Sequence, residues 1–422
     1  MTSSYKRLGD YIQLVDERNK DLEVKNLVGL TINKIFIPSV ANIIGTDMSN
    51  YKIIRKNQFA CSTMQVRRDK KMPLALYKND EPAIISQAYP IFKIIDAKEL
   101  LPEYLMMWFT RAEFDREACF HAVGGVRGSL EWDDFLDFKL PIPSIEKQQE
   151  IVNEYHTIQN RINLNNQLIA KLEETAQTIY KQWFVDFEFP TESHCEKRGT
   201  SDEAISVVGY KSSGGKMVWC EELEKEIPEG WRVGNIGYYS KVKSGFAFKS
   251  DWWKLEGIPV IKIGSISKNT VDYKALDFVD FDKLENVKNC KVQKGDIVIA
   301  MTGATIGKIG IVPDLGLHTL VNQRVGMFDL GDKPIKKVPF LYLILLSEKG
   351  QNEISNIGGD SAQANISNTQ IENIKITLPK EKTINEFNLL LESSIEFILN
   401  KIQENQKLEE LKELLLGRMV RN

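Results

Sequence analysis

Residues 145–187 contain neither glycine nor proline, and that run constrains the chain more than any other feature. Tyr155, Ile158, Ile162, Asn165, Ile169, Leu172, Ala176, Ile179 and Trp183 recur within it at alternating steps of three and four. Such spacing puts these side chains on one narrow face of an α-helix, the a/d seam of a coiled coil. At 1.5 Å per residue this helix is about 60 Å long, and Pro190 follows it. A small domain cannot cover so long and thin an apolar stripe; a second helix can.

The chain supplies that helix. Residues 382–418 carry a seam of Leu391, Ile395, Ile398, Ile402, Asn405, Leu408, Leu411 and Leu415. The likeness extends upstream. Leu140-Pro141 matches Leu378-Pro379, Gly124-Gly125 matches Gly358-Gly359, Gln87 matches Gln323, and Tyr104-Leu105 matches Tyr342-Leu343. Downstream, Arg161-Ile162, Asn165 and Leu168 match Lys401-Ile402, Asn405 and Leu408. These landmarks keep their order at offsets of about 234–240 residues, the mark of an internal duplication. If the repeats are related by an approximate twofold, the helices run antiparallel. Asn165 and Asn405, equivalent and central, are then expected to meet and fix the register.

The expected architecture is α+β: two α/β domains separated by a pair of long antiparallel coiled-coil helices, in a pseudo-twofold repeat. The boundaries read as 1–144 for the first globular domain and 145–188 for the central helix. A polar linker over 189–230, a second globular domain over 231–380 and a C-terminal helix over 381–422 complete the chain. Ile53-Ile54, residues 83–85 and residues 91–95 read as strands, and Leu101 to Phe120 as a helix with Pro102 in its first turn. A stiff rod with a globular domain at each end is a spacer between two binding surfaces.

No apolar run reaches the ~18–20 residues of a membrane span, and residues 1–7 lack the apolar stretch of a signal peptide. The expected location is therefore the cytoplasm, with no membrane partner. The five cysteines include no C-x-x-C pair, so they read as free thiols and no metal site is expected. The net charge of −3 argues against a chain coated in positive charge but leaves room for local basic faces.

Leu140-Pro141-Ile142-Pro143 through residues 146–151, and residues 172–177 through 180–187, resemble the central conserved region of type I restriction–modification specificity subunits. In the second half, Gly230-Trp231 and residues 244–250, 258–264, 295–298 and 302–307 resemble that family's target-recognition domains, as do Asn322-Gln323 and residues 363–367. The first half departs from this pattern: residues 57–60 through 64–69 replace the Gly-Asp-Ile-Val and Gly-Ala-Thr-Ile-Gly segments, and the Ser-Gly-Phe-Ala-Phe loop is missing. The resemblance implies a non-catalytic subunit in which each domain reads half of an asymmetric, two-part DNA sequence and the helices set the unread gap. It implies two modification subunits as partners, with two restriction subunits able to join. S-adenosylmethionine, ATP and magnesium would then belong to those partners and not to this chain.

Base reading needs donors and acceptors that reach groove edges, with cations on nearby phosphates. In the first domain the densest basic cluster is Arg67, Arg68, Lys70 and Lys71, joined by Arg127 and Ser129 on an apparent loop. In the second domain the candidates are Lys243, Ser244, Gly245, Phe246 and Lys249, with Lys262, Thr302, Thr305, Lys308, Gln323, Arg324 and Gln363. The alternative for Phe246 and Phe248 is a place in the core, and for Phe248 the two readings are even. Residues 303–309 imitate a phosphate loop but have three residues between the glycines where four are needed, and Ile309 stands where a Ser or Thr should hold magnesium. The competing reading is a protein-assembly scaffold with a binding domain at each end.

Overall fold

The computed structural model describes residues 5–39, 46–124, 128–191, 208–282, 287, 289–316, 318–358 and 365–420. The chain divides into two compact units, Met1–Ile162 with Leu408–Asn422, and Asn163–Lys407. Both long helices, Ile145–Phe184 and Glu381–Arg418, contribute to both units.

The first unit is built on an antiparallel sheet in the order Ile12–Val15, Ile91–Ile94, Gln58–Cys61, Leu74–Leu76. Beside it Lys52–Ile54 pairs with Ala83–Ile85, and Val28–Leu30 with Phe36–Pro38. Tyr5–Arg7 lies antiparallel to Lys139–Pro141 and closes the unit where the first long helix begins. The apolar face of the sheet meets an aromatic core: Phe59 stacks on Phe92 at 5.0 Å, with Phe109, Phe114 and Phe135 around them. The helix expected from Leu101 to Phe120 is two helices, Pro102–Thr110 and Ala112–His121. Arg111 breaks it with an extended backbone (φ −69°, ψ 143°) and lays its guanidinium over the Trp108 ring at 4.2 Å.

The second unit repeats that wiring. Its larger sheet runs Val242–Ser244, Val325–Phe328, Ile297–Ala300, Ile309–Ile311, the first unit's four strands in the same order, and then adds Thr270–Val271 and Ile266–Ser267. Arg232–Asn235 pairs with Lys375–Leu378 as Tyr5–Arg7 pairs with Lys139–Pro141. Ile258–Ile261 runs parallel to Thr319–Val321, the counterpart of the parallel bridge between Leu27 and Ile84. Gln148 and Asn388 are also equivalent. Both are buried near the start of a long helix, and each accepts from a backbone N–H at a helix N-terminus, Leu101 at 2.9 Å and Phe340 at 2.9 Å. One connection gains strands. Residues 31–35 link two strands of the first unit by a short turn; the matching link, 262–276, carries the two extra strands.

The first long helix ends without glycine or proline. Phe187 takes the left-handed conformation at φ 63°, and Asp186 and Glu188 donate back to the carbonyls of Lys181 and Gln182. Such a backbone costs a non-glycine residue about 1 kcal/mol; here the buried Phe187 ring, edge-on to Trp231 at 5.5 Å, offsets it. The expected linker contains strands. Met217–Cys220 and Lys225–Pro228 form a hairpin whose Ile227 is buried in the second unit's core.

Within the second unit the long helices pack as an antiparallel pair. Asn165 faces Asn405, and further along Trp183 meets Phe387 at 5.3 Å between ring centroids. Asn165 and Ile398 are buried, while Ile169, Leu172 and Ile402 are half-buried. In the first unit Ile158 and Ile162 share a core with Leu415 and Met419, with Leu408 packed against it. Leu411 departs from the expected seam and is 47% exposed. The steps of three from Ile402 through Asn405 and Leu408 to Leu411 each fall about 60° short of a full turn, and by Leu411 the accumulated rotation has carried the side chain off the shared face. Lys412 takes the place, its ammonium donating to Gln159 Oε1 at 3.2 Å.

Candidate nucleic-acid interface

In the second unit, backbone hydrogen bonds stitch the candidate loops into one edge. Asn322 N donates to Ile261 O at 2.9 Å, beside Lys262, and Gln323 N donates to Phe246 O at 2.9 Å. Met301 N donates to Arg324 O at 3.0 Å, and Ile366 N to Met301 O at 2.9 Å. The segments around 244–249, 301–308, 322–324 and 365–368, scattered in sequence, therefore lie side by side. Gly245 is required there: a Cβ would strike the carbonyls of Val321 and Asn322.

The candidates on this edge fall into two sets. Lys249, Lys308, Gln323 and Arg324 are exposed, and their side chains have no hydrogen-bond or ion-pair partner among the described residues. The others are engaged. Lys243 pairs with Asp329 at 2.6 Å and holds that carboxyl below its usual range. Lys262 lies over the Trp253 ring at 3.6 Å and pairs with Asp277 at 2.9 Å. Ser244 Oγ donates to Asn368 Oδ1 at 3.0 Å. Thr305 Oγ1 donates to the Thr302 carbonyl at 3.4 Å, while the Thr302 hydroxyl is buried without a partner among the described residues. Phe246 stacks on Trp252 at 5.8 Å and packs, with Phe248, against the sheet core, so its ring is a support for the loop. Gln363 lies outside the described residues.

In the first unit the equivalent hairpin loop, 62–73, carries the basic cluster. Cys61 N donates to Pro90 O as Met301 N does to Arg324 O, and Leu130 N donates to Thr63 O as Ile366 N does to Met301 O. Arg67 is committed to the fold: its guanidinium donates to the carbonyls of Gly124, at 3.0 Å, and Ala122. Arg68 makes a two-pronged contact with Asp69 at 2.7 and 3.0 Å. Lys70, in the left-handed conformation at φ 52°, and Lys71 are exposed. Ser129 pairs with Val123 through its backbone, and Arg127 lies outside the described residues.

A buried ion pair that no sequence pattern announces braces this loop. Lys34 and Asp115 are both buried and 2.8 Å apart. Lys34 also donates to the Phe109 carbonyl, and Asp115 accepts from the backbone N–H of Met72 at 3.1 Å. Burial pushes the Lys34 ammonium down from the usual lysine range, and Asp115 opposes that fall. In the second unit, burial and the nearby Asp329 carboxylate push Asp296 up to about 6, against a hydrogen bond from Gln293 N.

Among the described residues no group of three or more metal-binding side chains converges, and no helix is long and apolar enough to cross a membrane. The model for the type I restriction modification DNA specificity domain matches this chain twice, over residues 37–174 and 228–412. The chain belongs to that family. Recognition of a DNA target is the role of type I specificity proteins, and their named subunits are the non-catalytic components. The chain is 27% identical over 67% of its length to the type I restriction enzyme MjaVIII specificity subunit of Methanocaldococcus jannaschii, and spans 61% of that relative. It is 22% identical to the type I restriction enzyme HindI specificity subunit of Haemophilus influenzae, over 92% of this chain and 91% of that one. The fold is that of the type I S subunit from M. genitalium, with a TM-score of 0.53 at 16% identity over 98% of this chain and 95% of that chain.

Proposed function

We propose that this chain is the specificity subunit of a type I restriction–modification complex and reads a bipartite, asymmetric DNA target. Residues 1–144 read one half-site and residues 231–380 the other. The paired helices set the unread gap between them. Lys70 and Lys71 in one half, and Lys249, Lys308, Gln323 and Arg324 in the other, contact the DNA, with Gln323 and Arg324 suited to adenine and guanine edges. Arg67, Lys243, Lys262 and Phe246 hold the reading loops in shape. Two modification subunits carry the methyl transfer with S-adenosylmethionine. Restriction subunits using ATP and magnesium can join them.

The observation that carries this reading is the pairing of sameness and difference. Both units stitch the same loops to the same strand ends, yet loops 62–73 and 301–308 carry unrelated side chains. A scaffold that bound two copies of one protein would have no use for that divergence. Exchange of residues 231–378 for the segment of a relative with another target tests it. The methylated sequence should change in one half alone; a change in both halves would exclude independent readers.

A further inference from the structure

The extra strands of the second unit sit in the connection 262–276, and they do more than lengthen a sheet. Lys268 and Asn269, at φ 49° and 60°, form the two-residue turn between Ile266–Ser267 and Thr270–Val271. This turn lies against the first long helix. The Asn269 side-chain amide donates to both oxygens of Glu173, at 3.4 and 3.5 Å. The same carboxylate accepts from the hydroxyl of Tyr342 at 2.9 Å, and Tyr342 is almost wholly buried. Beyond the turn, Tyr273 donates to the Gln406 carbonyl of the second long helix at 3.2 Å. The recognition fold of this unit thus grips both helices through one insertion.

The grip leads straight to the candidate reading edge. Ile311 N donates to Asn269 O at 3.0 Å, and Thr270 Oγ1 donates to Ile311 O at 3.1 Å. Ile311 ends the strand Ile309–Ile311, which begins one residue after Lys308. A carboxylate that accepts several hydrogen bonds from packed groups holds them in one geometry, because releasing any of them leaves a buried polar atom unmatched. The matching connection of the first unit is the short turn 31–35, which carries no added strands.

We infer that Glu173 is a positioning residue that fixes where the second half-site is read along the helix pair, acting through Asn269 and Tyr342. It rests on the reader function proposed above. Glu173 does not touch DNA in this scheme. Its loss widens the range of gaps tolerated and leaves the bases read unchanged.

The experiment measures methylation by the assembled modification complex on targets whose gap is the native length, one base pair shorter or one longer. Wild type should prefer the native gap sharply. With Glu173→Ala the ratio of native-gap to altered-gap rates should fall about tenfold, with both half-site sequences still required. Glu173→Gln keeps an acceptor for Tyr342 and should recover most of the preference. Asn269→Ala and Tyr342→Phe, milder changes that keep the fold if Glu173→Ala does not, should each relax the ratio severalfold. A uniform loss of rate at every gap, or a gap profile of unchanged shape in all variants, would overturn the positioning role while leaving the reader function standing. A wild-type complex that methylates no two-part target would take both down.

Discussion

The side-chain amide of Asn165 donates to the side-chain oxygen of Asn405 at 2.9 Å, and Asn405 in turn donates to Asn166 at 2.9 Å. Two amides in an otherwise apolar seam satisfy each other in one register only. A slip of either helix by a residue leaves Asn165, only 1% exposed, without a partner.

Replacing both Asn165 and Asn405 with leucine should therefore raise the thermal midpoint by about 2–5 °C and broaden the tolerated gap. Calorimetry and methylation across a gap series check the two halves of this statement. A lower midpoint would remove these residues from the seam.

DNA affinity should fall linearly with the logarithm of salt, at about −0.9 per neutralised phosphate. Alanine at Lys249, Lys308 or Arg324 should each flatten the slope by roughly one unit where the side chain meets a phosphate. Lys243→Ala should leave the slope nearly unchanged, because its charge already belongs to Asp329. Titrations of the modification complex at several salt concentrations decide this; a flat response in wild type favours the scaffold reading.

Removing one member of the Lys34–Asp115 pair strands a buried charge. Lys34→Ala should cost about 3–5 kcal/mol and blur the first half-site, since Asp115, which holds Met72 and its loop, loses its own partner. Lys34→Met with Asp115→Leu should recover most of the stability but not the reading. Denaturant unfolding and methylation of first-half-site variants separate the outcomes.

Asp296 gives a pH dependence of defined sign. Its folded pKa of about 6 lies above the ordinary carboxylate value of 3.8, so the unfolded chain ionises first as pH rises. The stability tied to the protonated group is full below about pH 4 and is lost as pH climbs through 6. Asp296→Asn should be more stable than wild type at pH 7, by about 3 kcal/mol, and the advantage should vanish near pH 4. An advantage that does not change with pH would locate its cause elsewhere.

The helices and their duplication were legible because periodicity and self-similarity survive in single residues: Asn165 and Asn405 could be named and expected to meet. The break at Arg111 was not, since it depends on a guanidinium finding a tryptophan face. Leu411 misled because leucine at a three-residue step looks like seam, while the rotation accumulated over successive short steps turns it outward. The basic loops were visible as composition, but composition does not distinguish a cation facing solvent from Arg67, spent on two backbone carbonyls. The buried Lys34–Asp115 pair and the Glu173–Asn269 contact join residues far apart in the chain, and neither leaves a local pattern.

The first unit takes Leu415 and Met419 into its core, and Tyr5 reaches the carbonyl of Val420. Residues 1–162 are thus completed only when Leu415 and Met419 have been made. At ordinary elongation rates Ile158 and Ile162 wait roughly 10–50 s for Leu415 and Met419, with their apolar faces uncovered meanwhile. A chain cut short before Leu408 would carry a first unit with an open core. Such a product is a substrate for chaperones and proteases.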